Sequence, residues 1–442
     1  MFLLTASYYF YMNWEPVYAV LIFGSTAITY LCGRLVEKYK DNHRRQKLFL
    51  VASLIVNFSI LFIFKYYNFI NETIFTALDY AGLRWPIPNF DILLPVGISF
   101  YTFQAVGYSI DVYRGDIKVE KNFGIYALFV SFFPQLVAGP IERAKNLLAQ
   151  FYVKHTFNYD AAVAGLRLML WGYFMKLCIA DRVAMYVDAV YNNAGQHNGT
   201  TLSLATLFFT FQIYCDFGGY SLIAIGTAKI MGFNLMVNFR RPYFARSISD
   251  FWKRWHISLS SWFKDYVYIP LGGNRVSFGR HLFNLFLTFL ISGVWHGANW
   301  TFVAWGGVHG AFLVIGVLKN KYLPNIKVNS IFQNGINIIV TFCLVAFAWI
   351  FFRANNVGDA FEVIRKIFTE HGGLFWDMPT FTLAFPALLL LLFKDFKDEF
   401  LLPVNFLSSK YYLIRYLSAI ALVTIIILFG VLDGGQFIYF QF

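Results

Sequence analysis

The chain has 442 residues, of which 58% are hydrophobic, 21% are aromatic and only 14% are charged. A soluble protein of this length needs more charge to cover its surface, so the composition indicates a polytopic membrane protein. The net charge of +12 is typical of basic cytoplasmic loops and does not indicate nucleic-acid binding. The cysteines show neither metal-site nor disulfide spacing, and we predict no metal site.

A series of apolar stretches follows along the chain, most of them near the length of roughly 20 residues that a membrane span needs. They are 15–33, 48–66, 92–113, 124–140, 160–189, 202–227, 282–295, 301–318, 334–352, 378–393 and 411–431. This pattern predicts an all-α polytopic membrane protein with about 10–11 transmembrane helices, plus re-entrant and interfacial helices.

Lysine and arginine in the short loops set the predicted orientation. The loop after the first span carries Arg34, Lys38, Arg44 and Arg45 and is predicted to be cytoplasmic. The polar segment 192–201 is then outside. The stretch SFFPQLVAGP contains two prolines and a glycine, and we expect it to be re-entrant on the cytoplasmic side.

The N-terminal segment MFLLTASYYFYMNW is apolar but only about half as long as a membrane span. It has neither the basic region nor the cleavage site of a signal peptide. Two explanations stay open: the segment lies at the membrane interface, or the chain as given begins late.

The longest segment between spans, 228–281, is strongly basic and rich in aromatic residues. A cytoplasmic loop with interfacial amphipathic helices would explain the charge. It would not explain why His256 follows Trp255 in an apolar setting, or why the LGGNR sequence has paired glycines, which permit a tight turn near a ligand. We therefore predict a functional loop, with Lys253, Arg254, Gly273, Asn274 and Arg275 as candidate ligand-binding residues.

The stretch GVWHGANW places a histidine, His296, at a break between two apolar helices that together span 282–318. An ionisable residue at membrane depth indicates a functional site, and histidine is well suited to general-base catalysis near neutral pH. The alternative is a structural histidine that bonds a neighbouring carbonyl. His309 lies further along a continuous helix pattern, and we interpret it as structural.

Other polar residues inside apolar stretches admit simpler explanations. Asp216 either orients a catalytic base or holds helices together. Cys215 has no activating base beside it in sequence and is interpreted as inert. Glu142 is expected to pair with Arg143 or with headgroups, and Gln104 is expected to join helices.

The central sequence FWKRWHISLSSWFKDYVYIPLGGNR (251–275), followed by GVWHGANWTFVAWGGVHG (293–310), resembles the membrane-bound O-acyltransferase family. LPVGISFYTFQAVGYSIDVYRG (94–115) and SFFPQLVAGPIERA (131–144) are similar to the bacterial branch that contains alginate O-acetyltransferase membrane subunits. The resemblance implies one membrane domain over 1–442, a ring of helices pierced by a central tunnel. That branch usually begins with a fuller first hydrophobic segment, which this chain lacks.

The resemblance also implies roles for individual residues. His296 matches the family's invariant histidine, and His256 matches a second polar position. We expect His296 to be the general base, with His256 orienting the thioester or donating to the oxyanion. Trp295, Asn299 and Asp216 are expected to support the site.

The implied reaction moves an acetyl or other short acyl group across the bacterial inner membrane to a hydroxyl of an extracytoplasmic polysaccharide. No cofactor is expected to be bound; the donor would be acetyl-CoA or an acyl carrier protein thioester. The candidate residues of the loop 228–281, which is then the catalytic loop, would bind this donor, since their charges attract its phosphates or the acidic face of a carrier. Besides membrane lipids, the expected partner is an extracytoplasmic acetyltransferase that receives the acyl group first. The alternatives are D-alanyl transfer to teichoic acid and, more distantly, polysaccharide transport, for which paired repeats of broken helices would be expected.

Overall fold

The computed structural model describes residues 1–91, 93–137, 139–323, 331–432 and 437. Regular structure in these residues is entirely helical, which confirms the all-α prediction. Contacts divide the chain into two compact units, one of 1–162 with 228–236 and one of 163–227 with 237–442. The single domain predicted over 1–442 stays a prediction. Ile92 and Ala138, which fall in predicted apolar stretches, lie outside the described residues.

The first unit is built from helices of very different length. They are α1 (Phe2–Met12), α2 (Tyr18–Lys38), α3 (His43–Leu61), α4 (Tyr67–Tyr80), α5 (Ile98–Arg114), α6 (Phe123–Ser131), α7 (Phe133–Leu136) and α8 (Ala144–Leu147), with α9 (Tyr159–Tyr173) beginning here and continuing into the second unit. A π-helical turn, Phe62–Tyr66, joins α3 to α4. Buried hydroxyl and amide groups hold α2, α3 and α5 together, as in the 3.0 Å bond between Ser53 and Ser109.

The predicted re-entrant stretch is broken at Phe132, between the short helices α6 and α7. The side chains of Gln104 and Gln135 both donate to the Phe129 carbonyl, at 2.6 and 3.2 Å. These bonds satisfy backbone that the break leaves without helical partners. Gln104 therefore joins helices as predicted, while re-entry into the membrane stays a prediction.

Glu142 interacts with Arg143, as predicted, through the Arg143 backbone N–H and its charge, but it is also buried and accepts the Met236 backbone N–H. Burial raises the pKa of this carboxyl to about 7. Its position follows from the return of residues 228–236 to the first unit, which sequence periodicity cannot reveal.

The second unit contains the remaining helices. They are α10 (Asp181–Tyr191), α11 (Gly199–Ile230, which ends in the first unit), α12 (Ile248–Arg254), α13 (Ile257–Phe263), α14 (Phe278–His296), α15 (Trp300–Tyr322), α16 (Ile331–Arg353), α17 (Val357–Thr369), α18 (Met378–Glu399) and α19 (Tyr412–Phe429). π-Helical segments follow α9 (Phe174–Ala180) and α13 (Lys264–Tyr268). Short 3₁₀ turns lie at Leu148–Tyr152, Ala194–Gln196 and Pro242–Phe244.

The predicted break around residue 297 is confirmed: α14 ends at His296 and α15 begins at Trp300, capped by the Asn299 side chain. The two helices pack closely where Gly293 faces Gly306, since a Cβ on Gly293 would lie 3.0 Å from the Gly306 Cα. Small residues at such a contact are typical of membrane helix pairs.

Seven helical segments in the described part of the chain are long and apolar enough to cross a membrane. They are Tyr18–Lys38, His43–Tyr80, Tyr159–Tyr191, Trp300–Tyr322, Ile331–Arg353, Met378–Glu399 and Tyr412–Phe429. The protein is therefore a multi-pass membrane protein, although seven is fewer than the number of spans predicted. The segment α1 has 11 residues, about half a span, as its sequence indicated.

Predicted spans that correspond to α5, α11 and α14 do not meet this measure. The helix α5 has only 17 residues. On α14, Asn284, Thr288, Ser292 and His296 are all buried and recur every fourth residue, which places them on one face. These side chains lower the mean hydropathy of the helix although they are covered by protein, so hydropathy alone does not separate such a helix from one that is polar toward solvent.

Candidate active site

His296 is the last residue of α14 and is only 2% exposed. Its Nδ1 lies 2.7 Å from the Ser292 carbonyl oxygen, one helical turn earlier. A carbonyl can only accept a hydrogen bond, so Nδ1 carries the proton and the neutral ring keeps its lone pair on Nε2. The helix itself thus prepares Nε2 to act as a base.

Aromatic rings enclose His296. The Trp305 ring centroid lies 4.7 Å from that of the histidine, Trp295 lies at 5.0 Å and Phe352 at 5.7 Å. Apolar rings exclude water from the imidazole and lower the local dielectric constant, which strengthens any polar interaction made there.

His256 is fully buried and precedes the first turn of α13 in a left-handed backbone conformation, with φ of 43°. Such a conformation is uncommon outside glycine and occurs more often at functional sites. The backbone N–H of Ile257 donates to the Asn238 carbonyl at 2.9 Å and holds the strained turn in place.

The Asn238 side chain also fixes the tautomer of His256. Its Oδ1 accepts the Ser258 N–H at 3.2 Å and the Ser258 hydroxyl at 2.9 Å, so this atom is the acceptor for the His256 Nδ1–H at 3.2 Å as well. Nε2 of the neutral ring then carries a lone pair. Burial, and secondly the nearby His296, lower the pKa of His256 well below its ordinary value, so the ring stays neutral.

Trp295 joins the two motifs. Its ring centroid lies 5.0 Å from His296 and 6.2 Å from His256. The fold therefore brings together the two histidines that sequence analysis singled out, although some forty positions separate them along the chain. Trp295 lies where a supporting residue was predicted.

A cavity of about 560 Å³ lies on one side of this centre and is named here the Lys176 cavity. Its lining is mostly polar and includes Lys176, Asp181, Asp188, Gln212, Asp216, Asn299 and Arg353. Lys176, on a π-helical segment, pairs with Asp216 at 2.5 Å and Asp181 at 2.7 Å. Two predicted supporting residues, Asp216 and Asn299, thus line a cavity that Phe302 and Phe352 also border.

A second cavity, the Lys253 cavity, has a volume of about 230 Å³ and a largely apolar wall. Trp252, Phe263 and Phe289 line it, with Lys253 and Lys264 from the basic loop. Thr288 and Ser292, from the polar face of α14, line it too. Since the Ser292 carbonyl bonds His296, this cavity reaches within one helical turn of the candidate base.

A third cavity, of about 430 Å³, lies beside the anchor of His256. Asn238 and Ser221 line it together with Arg240, Arg241 and Lys394. The Asn238 amide N–H donates to the Ser221 hydroxyl at 3.3 Å, which fixes the amide orientation that His256 requires.

The predicted donor-binding residues differ in exposure and in their hydrogen-bond partners. Lys253 is exposed at a cavity, whereas Arg254 is held by Asp250 at 3.0 Å and by Glu399 at 2.9 Å. These carboxylates raise the pKa of Arg254 and tie α12 to α18. Arg254 thus has a structural role in this conformation, whatever it contributes to the donor.

The LGGNR sequence forms the tight turn that its glycines predict, with φ of 103° at Gly272 and 56° at Gly273. The Asn284 side chain donates to the Gly273 carbonyl at 3.2 Å and fixes the turn against α14. Asn274 and Arg275 follow it and are exposed. The turn therefore positions α14, and contact of these residues with a donor stays a prediction.

Sequence analysis missed Asn238, Ser292 and Lys176. The four-residue repeat of polar residues along α14 is a readable signal for Ser292. Asn238 lies 18 positions before His256 in irregular chain, and its contact depends on tertiary folding that no spacing rule predicts. Cys215 is fully buried, and that its thiol is inert stays a prediction.

Comparison with known proteins agrees with this geometry. The chain is 39% identical over 368 residues to a probable alginate O-acetylase, AlgI, of Pseudomonas aeruginosa, which covers 83% of this chain and 69% of that protein. It is 35% identical over 400 residues to a peptidoglycan O-acetyltransferase of Helicobacter pylori, with 84% and 74% covered. A teichoic acid D-alanyltransferase of Streptococcus thermophilus is 31% identical over 235 residues, with 50% and 56% covered.

The model of the membrane-bound O-acyltransferase family matches residues 121–354. This range contains both histidines, Asn238, the Lys253 cavity and the broken helix pair α14–α15. Family match, relatives and buried paired histidines agree, and the chain is accordingly an O-acyltransferase that belongs to the membrane-bound O-acyltransferase family.

Proposed function

We propose that this protein transfers an acetyl or other short acyl group from a cytoplasmic thioester to a hydroxyl on the far side of the bacterial inner membrane. The final acceptor is an extracytoplasmic polysaccharide, reached directly or through a partner acetyltransferase. The observation that carries the proposal is the tautomer of His296, whose Nδ1–H bonds the Ser292 carbonyl and so leaves the lone pair on Nε2. Ser292 lines the Lys253 cavity, and Phe352, which contacts the His296 ring, lines the Lys176 cavity.

Acyl transfer begins when the acceptor hydroxyl loses its proton to Nε2 of His296 as its oxygen attacks the thioester carbonyl. The carbon–sulfur bond then breaks, and the proton passes from the imidazolium to the leaving thiolate. His296 returns to its neutral state, so the cycle needs no external base. General-base catalysis of this kind contributes typically about 10²–10⁴-fold.

His256 has a narrower role than the two its sequence suggested. Its Nδ1–H is bonded to Asn238 and its Nε2 carries a lone pair, so the neutral ring can accept a hydrogen bond but has no second N–H to donate. This geometry supports an orienting role, in which Nε2 accepts a hydrogen bond from the thioester arm or from the acceptor hydroxyl. Donation to an oxyanion would require the imidazolium, which the lowered pKa disfavours.

The Lys253 cavity suits the donor. Coenzyme A and acyl carrier proteins both present a thioester on a long, slender arm that carries phosphate. Lys253 and Lys264 supply positive charge for the phosphate, and the aromatic wall suits the arm. The polar face of α14 then leads to Ser292 and His296.

The Lys176 cavity suits the acceptor side, because its polar groups can hydrogen-bond a hydroxyl-rich ligand. It borders Asp188 and Asn192, next to the segment 192–201 that is predicted to be outside. Acetyl transfer is favoured over D-alanyl transfer, since the acetyltransferase relatives match more of the chain at higher identity.

The decisive experiment follows thiol release by purified protein in nanodiscs, with acetyl-CoA or an acetylated carrier protein as donor. It compares wild type, His296→Ala and Lys253→Ala, each with and without an extracytoplasmic partner encoded beside the gene. We expect release to need His296 and to increase with the partner. In Lys253→Ala, the KM for the donor should rise about tenfold with kcat nearly unchanged.

Release that is equal in wild type and His296→Ala would contradict the proposal. Arg246→Ala is the matched control for lost loop charge, because Arg246 is an exposed residue of the same loop. An equal rise in KM in Arg246→Ala would show that general loop charge, and not the cavity, attracts the donor.

A further inference from the structure

The candidate base is shielded from the cavity on its acceptor side. His296 is 2% exposed, and Phe352, whose ring lies 5.7 Å from the imidazole, lines the Lys176 cavity together with Phe302, Ala298 and Asn299. Both phenylalanines are 4% exposed or less. An acceptor hydroxyl that approaches the imidazole from this cavity along Phe352 therefore has to displace these two packed rings.

The two rings form one layer. Their centroids are 4.8 Å apart in an edge-to-face arrangement, and Phe352 lies 5.7 Å from His296. Phe302 packs directly on Gly297, where any side chain would overlap its ring. Trp305 supports Phe352 from behind at 5.3 Å. We name Phe302 and Phe352 together the aromatic seal.

The seal separates two regions that need different amounts of water. The charged lining of the Lys176 cavity, with Lys176, Asp181 and Asp216, favours a water-filled space. A thioester held near His296 would be exposed to that water if the rings were absent, and the base would activate water as readily as a hydroxyl.

We propose that the aromatic seal selects the acceptor over water: it keeps water from the His296–thioester pair until an acceptor group displaces the rings. This inference rests on the proposed function. Phe302 lies in the first turn of α15 and Phe352 next to the last residue of α16. Helix ends fray and move more easily than helix interiors, so both rings lie where displacement is least costly.

The reaction that the seal prevents is thioester hydrolysis. Water would lose a proton to Nε2 of His296, its oxygen would bond the acyl carbon, and the carbon–sulfur bond would break. The thiol leaves with the proton, and a free carboxylic acid takes the place of the ester. Exclusion of water from a reactive intermediate is a general function of closed active sites.

The experiment measures acetate and thiol released from acetyl-CoA in the absence of any partner or glycan. The variants are Phe352→Ala, Phe302→Ala and Phe352→Leu, with Phe351→Ala as matched control. Phe351 is the neighbouring residue on α16, is 4% exposed and packs on Phe347 and Phe361. Thermal unfolding of each variant shows whether the seal variants and Phe351→Ala lose similar amounts of folding stability.

We expect Phe352→Ala to raise hydrolysis about tenfold over wild type, with Phe351→Ala unchanged and Phe352→Leu intermediate. Adding His296→Gln to Phe352→Ala should abolish the gain, because the base activates the water. Hydrolysis in Phe352→Ala and Phe302→Ala no faster than in Phe351→Ala would overturn the seal, as would a gain that survives loss of His296.

Failure of the seal is distinguishable from failure of the function. A wild type that transfers acetyl to its partner while both seal variants hydrolyse no faster keeps the function and rejects the seal. A wild type that releases no thiol from either donor, with or without partner, rejects the proposed function and the seal with it.

Discussion

Two buried histidines of the α14–α15 pair share one aromatic cluster but differ in their hydrogen bonds. The rings of His296 and His309 lie on Trp305 at 4.7 and 4.9 Å. Nδ1 of His296 donates to a backbone carbonyl. Nδ1 of His309 instead accepts the indole N–H of Trp252 at 3.3 Å, because an indole can only donate.

The two neutral rings are therefore opposite tautomers. His296 presents a lone pair at Nε2, whereas His309 carries its proton there and has no base to offer at that atom. His296 ends a helix beside Ser292 and the cavities, while His309 lies inside the continuous α15. Burial and aromatic surroundings therefore do not distinguish the proposed base from the histidine interpreted as structural; the partner of Nδ1 does.

The largest expected effect comes from making the same substitution at both positions. His296→Phe should lower kcat for acyl transfer by about 10²–10⁴-fold, the usual contribution of a general base. His309→Phe should keep most activity but leave the Trp252 N–H without its acceptor, which costs about 1–3 kcal/mol of stability. Thiol-release kinetics and thermal unfolding of both variants check this.

If His296→Phe and His309→Phe lose similar activity, the hydrogen-bond partner of Nδ1 does not determine which histidine is the base. Normal activity in His296→Phe would show that another group acts as the general base. In either case the unfolding data show whether lost folding, and not lost chemistry, accounts for the result.

The next effect concerns the amide that fixes His256. Asn238→Asp keeps an oxygen at the position that accepts Nδ1–H, but its negative charge raises the pKa of His256. More imidazolium then forms as the pH falls, so we expect kcat/KM at about pH 6 to drop about tenfold relative to wild type, with near-normal values at about pH 8.

Ser258→Ala is the matched control, since it removes one hydroxyl donor to Asn238 and adds no charge. Its pH profile should parallel that of wild type. If kcat/KM of Asn238→Asp is lowered equally at every pH, the substitution has caused a packing defect. The protonation state of His256 would then not affect activity.

The helices and both histidine motifs were predictable because each has a local signal. Runs of apolar residues mark the helices, and the glycines around His296 mark a break between them. The polar face of α14 has a local signal as well, in its repeat of four. The hydropathy of α11 and α14 was harder to interpret, since a polar residue turned toward protein lowers it as much as one turned toward lipid.

The tautomers were not predictable. They depend on Asn238 and Trp252, whose contacts with the histidines form only in the folded chain. Similarly, the sequence alone presents Arg254 as a cation that could bind a phosphate. In the folded chain it forms an ion pair with Glu399, which lies far along the sequence. Sequence patterns reveal which residues are unusual, but the partner that sets each residue's chemistry often comes from a distant segment.

The smallest expected effect is on stability, and it comes from the burial of His256. Folded His256 has a pKa below its ordinary value, while the unfolded chain has one near 6.5. Below about pH 6.5 the unfolded state therefore binds more protons, and folding stability falls as the pH drops. His256→Gln removes this linkage, so its Tm should fall less than that of wild type between about pH 7.5 and 5.5. The difference corresponds to about 1 kcal/mol of folding stability at about pH 5.5.

His43→Gln, at the exposed start of α3, is measured in parallel as the control for loss of an imidazole side chain. Equal slopes in wild type and His256→Gln would mean that His256 takes up a proton without unfolding. The tautomer argument would then fail for His256 while still holding for His296, because a ring that gains a second proton no longer has a defined acceptor nitrogen.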